Sequence, residues 1–161
     1  MTINIGDRLP SLTLRQVTPD GPKEVSTDAF FRGRKVVLFA VPGAFTPACS
    51  QRHLPGYVGM AAEIKAKGID EVACVAVNDA AVLGAWGRDQ KTDGKVTMLA
   101  DGSGELARAL GLEVDLGRAG LGVRSKRYSM LVEDGVVKSL NVEAQPGQVE
   151  ASSAEAMLKS L

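Results

Sequence analysis

The sequence predicts an α/β protein with a mixed central sheet and helices on both of its faces. Three short apolar runs, Lys35–Val41, Glu71–Val77 and Lys95–Asp101, are typical of buried strands, and stretches with helical spacing separate them. This alternation produces parallel strands that are joined by right-handed crossovers. Two later β-like runs flank Glu133–Gly135, whose Asp-Gly pair predicts a hairpin and therefore adds antiparallel strands.

The helices are indicated by apolar spacing and by residues that suit helix ends. Apolar residues recur at helical intervals from Tyr57, and Gly68 suits the end of that helix. Asn78 or Asp79 can cap the next helix. A short third helix is expected to end at Gly111.

The remaining segments complete the predicted architecture. Ser152 and Glu155 fit a capping box at the start of a C-terminal helix. Residues Thr18–Glu24 indicate a turn or loop, and the glycine-rich stretch Leu112–Gly122 indicates a connection. This order of elements is that of the thioredoxin fold, although other three-layer α/β sandwiches are compatible with it. The chain has 161 residues, which is enough for one domain, and that domain is predicted to span residues 1–161.

The composition limits the classes of function. Lysine plus arginine equals aspartate plus glutamate, so no net charge attracts nucleic acid or an anionic membrane. The longest apolar run is too short to span a bilayer, and the N-terminal sequence lacks the features of a secretory signal. Two cysteines do not form a disulfide framework, which predicts reduced thiols and a cytoplasmic protein. One histidine and two separated cysteines do not form a metal-ligand cluster, so no metal or other cofactor is predicted.

One of the two cysteines, Cys49, lies in the stretch "VPGAFTPACS" between a predicted strand and a predicted helix. Thr46 suits the N-cap and Pro47 the first helical position, which places Cys49 in the first turn, where the helix dipole favours an anion. The thiolate is the reactive form of cysteine, and lowering a thiol pKa from about 8.5 to about 6 takes roughly 3.4 kcal/mol. A helix terminus supplies only ~0.3–1 kcal/mol. A reactive Cys49 therefore needs a cation from elsewhere in the sheet.

Local signals leave other interpretations of Cys49 open, because a cysteine is often only a small buried packing residue. His53, the only histidine, lies on the same face of a regular helix and can be considered as the base of a cysteine hydrolase. No asparagine or aspartate stands at a recognisable place to orient it, which favours a structural or pocket-edge role. Pro55 and Gly56 are expected to kink or interrupt this helix.

The spacing Pro42-x-x-x-Thr46-x-x-Cys49 resembles the active-site signature of the peroxiredoxins. The longer string "VPGAFTPACSQRHLPGY" is similar to the type II subgroup, also called the type five or atypical two-cysteine peroxiredoxins. The resemblance continues through "VACVAVNDAAVLGAWG", "GKVTMLADGSGELARALGL" and "RSKRYSMLVEDGVVKSLNVE" and covers nearly the whole chain. It implies a bacterial- or plant-like member of the subgroup, with a thioredoxin fold and a functional Cys49.

The resemblance implies a thiol peroxidase that reduces hydrogen peroxide and alkyl hydroperoxides. The Cys49 thiolate attacks one peroxide oxygen, the other oxygen leaves as hydroxide or alkoxide, and a sulfenic acid remains. In the family pattern the Thr46 hydroxyl contacts the peroxide and Pro42 shields the sulfur. A backbone N–H of the turn that begins at Gly43 is a further donor. Such donors orient the peroxide and stabilise the leaving oxygen.

The stretch "VRSKRYS" offers the required cation. Arg124 and Arg127 face opposite sides of an extended strand, so both cannot reach the thiolate from it. The family's catalytic arginine matches Arg127, which lies on the face opposite Tyr128. Arg124 is expected at the strand entrance beside the substrate pocket, or paired with an acidic residue of the loop.

Reduction of the sulfenic acid raises the question of Cys74, the second cysteine. In plant-like members of the subgroup, a cysteine in the matching string can resolve the sulfenic acid as an intramolecular disulfide. Cys74 lies in a predicted buried strand, where it can be only a packing residue, and meeting Cys49 would need local unfolding. The competing route is direct attack by glutathione, with or without glutaredoxin, and thioredoxin can reduce a disulfide form.

The resemblance also implies the partners of the protein. These are peroxides, glutathione/glutaredoxin or thioredoxin as the reductant, and a second copy of the chain in a homodimer. The alternative function is a non-catalytic redox sensor or chaperone-like binding protein on the same fold. Repeated peroxide consumption with a thiol reductant, lost in Cys49→Ser, distinguishes the enzyme from this alternative.

Overall fold

The structure, a computed structural model, describes residues 2–161, which form a mixed sheet with helices on both faces. Within these residues the strands are β1 (Thr13–Thr18), β2 (Gly21–Ser26), β3 (Lys35–Val41), β4 (Glu71–Ala76), β5 (Thr97–Ala100), β6 (Glu113–Asp115), β7 (Val123–Ser125), β8 (Tyr128–Glu133) and β9 (Val136–Val142). The α-helices are α1 (Thr27–Phe31), α2 (Leu54–Lys65), α3 (Ala80–Gln90), α4 (Glu105–Leu110) and α5 (Ala154–Ser160). None of these helices is long and apolar enough to cross a membrane.

Seven strands form one sheet in the order β2-β1-β5-β4-β3-β8-β9, and β6 pairs with β7 separately. The strands β3, β4 and β5 are parallel neighbours, as the alternation of strands and helices predicts. The predicted hairpin of β8 and β9 turns at Asp134 and Gly135, whose φ angles of 49° and 79° suit a type I′ turn. The prediction of a thioredoxin fold with a mixed sheet is therefore confirmed.

Two segments that the sequence analysis predicts to be irregular contain strands. In Thr18–Glu24 the turn consists only of Pro19 and Asp20, because β1 ends at Thr18, β2 begins at Gly21 and the two strands pair antiparallel along their whole length. Only Leu14 is buried in β1, so the apolar pattern that indicates a strand is weak there. Leu112–Gly122 likewise contains β6, which forms a short ribbon with β7.

The sheet separates two apolar clusters. One contains Tyr128 and the alternate residues of β8, packed with side chains of α1 and α4. The other contains Cys49 and Cys74, packed with side chains of α2, α3 and α5. Because neighbouring residues of a strand point to opposite faces, the side chain preceding Tyr128 can reach the second cluster.

The helix starts agree with the predicted caps at α3 and differ at α5. The Asp79 carboxylate accepts from the backbone N–H of the third residue after it, at 2.8 Å. The predicted capping box at Ser152 is wrong, because Ser153 caps α5 with its hydroxyl oxygen. Ser152 is buried and bonds to Glu143 instead. The spacing favours Ser152, because only that serine has a glutamate three residues later, but its burial against Glu143 leaves the cap to Ser153.

Candidate active site

The segment that carries Cys49 leaves β3 and enters a helix through a short turn. Helical geometry begins at Pro47, which puts Thr46 at the predicted N-cap position. The Thr46 hydroxyl donates to the carbonyl of Gly43 at 2.7 Å, so its hydrogen is used within the turn. Pro42 is buried at the start of this turn, and Cys49 is 0% exposed.

A π-helical turn, Cys49–His53, leads directly into α2. The N–H of Leu54 donates to the carbonyl of Cys49, five residues earlier. Pro55 has no N–H, so it cannot form the regular helical bond at this point. The predicted interruption is thus a widened turn inside a continuous helix, a geometry that is frequent at functional sites.

Arg127 lies immediately before β8 and is 2% exposed. Its guanidinium donates in three directions: Nη2 to Cys49 Sγ at 3.1 Å, Nη1 to His53 Nδ1 at 2.9 Å, and Nε to the carbonyl of Pro146 at 2.9 Å. A positive charge in contact with sulfur favours the thiolate over the thiol. The structure therefore brings Arg127 and Cys49 together, although they lie 78 residues apart in the chain.

His53 is fully buried, and both nitrogens of its ring are hydrogen-bonded. Nδ1 accepts from Arg127, and Nε2 donates to the carbonyl of Ser152 at 3.0 Å. Because arginine can only donate, this arrangement requires a neutral ring with its hydrogen on Nε2. Burial, together with the charge of Arg127, lowers the pKa of His53 to about 3. Both nitrogens are engaged away from Cys49, which argues against a hydrolase in which His53 is the base.

The neutral state of His53 predicts a loss of stability in mild acid. Its pKa is about 3 in the folded protein and 6.5 as the ordinary value, so the unfolded chain binds more protons between these pH values. The free energy of unfolding therefore falls as the pH falls through this interval. This single group is expected to lower it by about 2 kcal/mol between neutral pH and pH 5.

Urea unfolding at the two pH values measures this loss, with His53→Gln as the matched control. Glutamine keeps one acceptor and one donor but does not titrate. We expect the variant to lose about 2 kcal/mol less than the natural protein between neutral pH and pH 5. An equal loss in both proteins would show that His53 is not held neutral.

Arg124, in β7, lies against the turn that precedes Cys49. Its Nε donates to the carbonyl of Leu121 at 2.8 Å and its Nη1 to that of Pro42 at 3.4 Å. A Cβ at Gly43 would lie 3.1 Å from Nη1, so a larger residue there would push the Arg124 guanidinium away from the turn by a few tenths of an ångström. Within residues 2–161 no carboxylate pairs with Arg124, so the predicted acidic partner is wrong. Arg124 supports the wall of the turn.

Sequence reasoning missed the contacts that anchor the turn after Cys49. The indole Nε1 of Trp86 donates to the Ser50 hydroxyl at 3.0 Å, and Gln90 donates to the Ser50 carbonyl at 3.2 Å. The helical spacing of apolar residues in the sequence places Trp86 on the inner face of α3. A buried indole N–H there needs an acceptor. That need is the one signal in the sequence that points to these contacts.

A second missed set of contacts lies between β9 and α5, in the stretch from Glu143 to Ser152, termed the 143–152 segment. The Ser152 carbonyl accepts from His53 and also from the Tyr57 hydroxyl, at 2.8 Å. Glu143 is only 8% exposed, and its carboxylate accepts from Ser152. No apolar period or motif marks this glutamate in the sequence.

Cys74 lies in the middle of β4, paired with Phe39 and Met98 on the neighbouring strands. It is 0% exposed and belongs to the same apolar cluster as Cys49, and both cysteines are free thiols. Burial raises the pKa of the Cys74 thiol well above its usual range. Cys74 is therefore protonated within the fold, and a protonated thiol is a weak nucleophile.

Comparison with known proteins gives similarity over nearly the whole chain. Residues 4–158 match the Redoxin family. Peroxiredoxin-2E-2, chloroplastic, of Oryza sativa subsp. japonica is 54% identical over 165 residues, covering 99% of this chain and 73% of the relative. Peroxiredoxin-2E, chloroplastic, of Arabidopsis thaliana is 50% identical over 164 residues, covering 99% and 70%. Reduced Prx3 from Vibrio vulnificus, solved in complex with hydrogen peroxide, has a TM-score of 0.93 and 50% identity, covering 99% of both chains. The chain belongs to the peroxiredoxin family of thiol-dependent peroxidases.

Proposed function

We propose that Cys49 is the residue that reduces the peroxide and that Arg127 activates it. The observation that carries this proposal is the 3.1 Å contact between Arg127 Nη2 and Cys49 Sγ, two side chains that are both buried. The thiolate sulfur forms a bond to one peroxide oxygen while the O–O bond breaks. Sulfur is oxidised to the sulfenic acid, and the second oxygen leaves as hydroxide or alkoxide and takes up a proton.

The turn before the helix is proposed to hold the peroxide against the sulfur. The Thr46 hydroxyl gives its hydrogen to Gly43, which leaves its oxygen free to accept from the peroxide O–H. Pro42 is buried beside this turn and keeps water from the sulfur, and Arg127 also stabilises charge on the leaving oxygen. The complex of the Vibrio vulnificus relative with hydrogen peroxide supports this class of substrate.

Reduction of the sulfenic acid is proposed to use an external thiol, from glutathione with glutaredoxin or from thioredoxin. The supporting observation is the burial of Cys74, which keeps that thiol protonated within β4. Cys49 is also 0% exposed, so a thiol of the size of glutathione reaches it only after the first turn opens. Resolution by Cys74 stays a prediction, because it requires β4 to open as well.

Chemical trapping tests the identity of the reacting cysteine. After one equivalent of hydrogen peroxide in the presence of dimedone, which captures sulfenic acids, we expect the adduct on Cys49. Trypsin separates the two cysteines into the peptides 36–52 and 68–88, so mass spectrometry assigns the adduct directly. An adduct on Cys74 alone would overturn the proposal.

The same experiment without dimedone shows how the enzyme is reset. A disulfide between the peptides 36–52 and 68–88 would establish Cys74 as the resolving residue. A mixed disulfide of Cys49 with added glutathione would establish the one-cysteine route, which is the expected result.

The homodimer implied by the resemblance also stays a proposal. It is supported by Phe45, which is 54% exposed in the turn before Cys49 and has a φ of 62°, uncommon for a residue other than glycine. An exposed aromatic side chain beside the site suits a contact with a second copy. Sedimentation velocity measures the oligomeric state. The cytoplasmic location remains a prediction from composition.

A further inference from the structure

We infer that Glu143 is a positioning residue of the peroxidase site, because its carboxylate holds the 143–152 segment in the shape that fixes Arg127 and His53. The inference rests on the roles proposed above for Cys49 and Arg127. It assigns to Glu143 no contact with peroxide or with the sulfur.

The 143–152 segment supplies two of the acceptors on which the arginine depends. The Pro146 carbonyl accepts directly from Arg127 Nε at 2.9 Å. The Ser152 carbonyl accepts from His53 Nε2 at 3.0 Å, and this bond orients the ring whose Nδ1 accepts from Arg127. The direction of the guanidinium toward Cys49 is therefore determined largely by the path of this segment.

One carboxylate oxygen of Glu143, at the start of the segment, bonds to residues at the end of the segment. Its Oε2 accepts from the N–H of Glu150 at 2.8 Å, and from the N–H and the hydroxyl of Ser152 at 2.8 Å and 2.6 Å. Burial raises the pKa of Glu143, but these hydrogen bonds outweigh burial and hold it below its ordinary value. The carboxylate is therefore charged at neutral pH, and its bonds are of the stronger, charge-assisted kind.

The main chain of Glu143 is also hydrogen-bonded directly to the main chain of Arg127. Its N–H donates to the carbonyl of Arg127 at 2.9 Å, beyond the last pair of β8 and β9. Glu143 thus ties the backbone of Arg127 to the segment that holds the guanidinium. Because displacing a catalytic group by about 1 Å can slow a reaction by two orders of magnitude, loosening this connection has a measurable effect.

Other contacts of the segment limit the size of that effect. The Tyr57 hydroxyl also donates to the Ser152 carbonyl, and Arg52 donates to the carbonyl of Gly147 in the exposed middle of the segment. These contacts remain when the carboxylate is removed. We therefore expect Glu143→Ala to slow oxidation of Cys49 by hydrogen peroxide about tenfold, below the loss for a fully displaced group.

Stopped-flow oxidation by hydrogen peroxide measures this rate, with the fluorescence of Trp86 as the signal. Trp86 is the only tryptophan, and its indole contacts Ser50, next to Cys49. The second readout is the rate of alkylation of Cys49 by iodoacetamide as a function of pH. A poorly held guanidinium stabilises the thiolate less, so the midpoint of this curve moves to higher pH in Glu143→Ala.

Two variants make the comparison specific. Glu143→Gln keeps an oxygen acceptor and is expected to recover a rate within about threefold of the natural protein, since the neutral acceptor only weakens the bonds. Glu150→Ala keeps its backbone N–H and removes an exposed carboxylate of the same segment, so it is expected to match the natural protein. If Glu143→Ala does not fold, Glu143→Asp takes its place, because its shorter side chain draws the carboxylate away from its donors.

The outcomes separate this inference from the proposed function. A slower oxidation and a shifted alkylation curve in Glu143→Ala, with recovery in Glu143→Gln, support the positioning role. An unchanged rate and curve overturn it, even if the thermal midpoint falls, because the glutamate then serves stability alone. Failure of Glu143→Gln to recover the rate also overturns it. If Cys49 of the natural protein does not react with peroxide, the proposed function fails first and the inference falls with it.

Discussion

Cys49→Ser is expected to abolish peroxide consumption, leaving only the background rate of the reductant. The serine hydroxyl is almost entirely protonated at neutral pH, and the charge of Arg127 cannot compensate for so weak an acid. Oxygen also cannot take the sulfenic acid state through which the reaction passes. The measurement is the repeated consumption of hydrogen peroxide with glutathione and glutaredoxin, and in parallel with thioredoxin.

Cys74→Ala is the matched control for this result. It removes the other thiol, which lies in the same apolar cluster, and it is expected to keep the first oxidation of Cys49. Equal peroxide consumption by Cys49→Ser and the natural protein would contradict the assignment of the reacting residue. Oxidation of the natural protein by one equivalent without turnover, under every reductant, would favour a redox sensor instead.

Arg127→Ala is expected to slow the reaction with hydrogen peroxide by ~10²–10³-fold, the usual effect of removing a donor that stabilises developing charge. The substitution takes away the cation beside Cys49 Sγ and the group that stabilises the leaving oxygen. It also leaves His53 Nδ1 without its donor, and a buried unpaired acceptor costs about 1–3 kcal/mol of stability. Stopped-flow kinetics and urea unfolding measure the two effects separately.

Arg127→Lys tests whether a positive charge alone is sufficient for rapid reaction of Cys49 with hydrogen peroxide. The lysine ammonium is a point charge on a flexible chain. It cannot donate to Cys49 Sγ, His53 Nδ1 and the Pro146 carbonyl at the same time, as the arginine does. We expect it to recover only part of the rate. Arg124→Lys is the control, because Arg124 contacts carbonyls of the turn and not the sulfur, and its effect is expected to be much smaller. A similar loss in both lysine variants would argue against a specific contact of Arg127 with the thiolate.

Much of the fold follows from local patterns in the sequence. The strands β3, β4 and β5 are buried on both faces, so their apolar runs are unmistakable, and the Asp-Gly pair determines the turn of the last hairpin. The strand β2 lies at an edge of the main sheet, β1 is next to it, and β6 and β7 lie outside that sheet; their largely exposed residues give no apolar alternation. Local patterns therefore predict the centre of the sheet better than its margins.

The sequence predicts where the reactive segment lies between strand and helix, but not the exact geometry of its backbone. The spacing of Pro42, Thr46 and Cys49 follows from the order of strand, turn and helix start, all of which are local. The π-turn at Cys49–His53 is not predicted, although Pro55 provides its cause. The parity of the strand places Arg127 on the opposite face from Tyr128, and the structure brings it to Cys49 Sγ.

The sequence by itself thus determined the central strands, the hairpin, the position of Cys49 and the face on which its cation lies. Only the tertiary structure decided what holds that cation: the neutral His53, the carbonyl of Pro146 and the carboxylate of Glu143. The physical reason is distance along the chain. The bond from Arg127 to His53 spans 74 residues and that from His53 to Ser152 spans 99, so no local periodicity records them. They exist only when the sheet, α2 and the 143–152 segment have packed together.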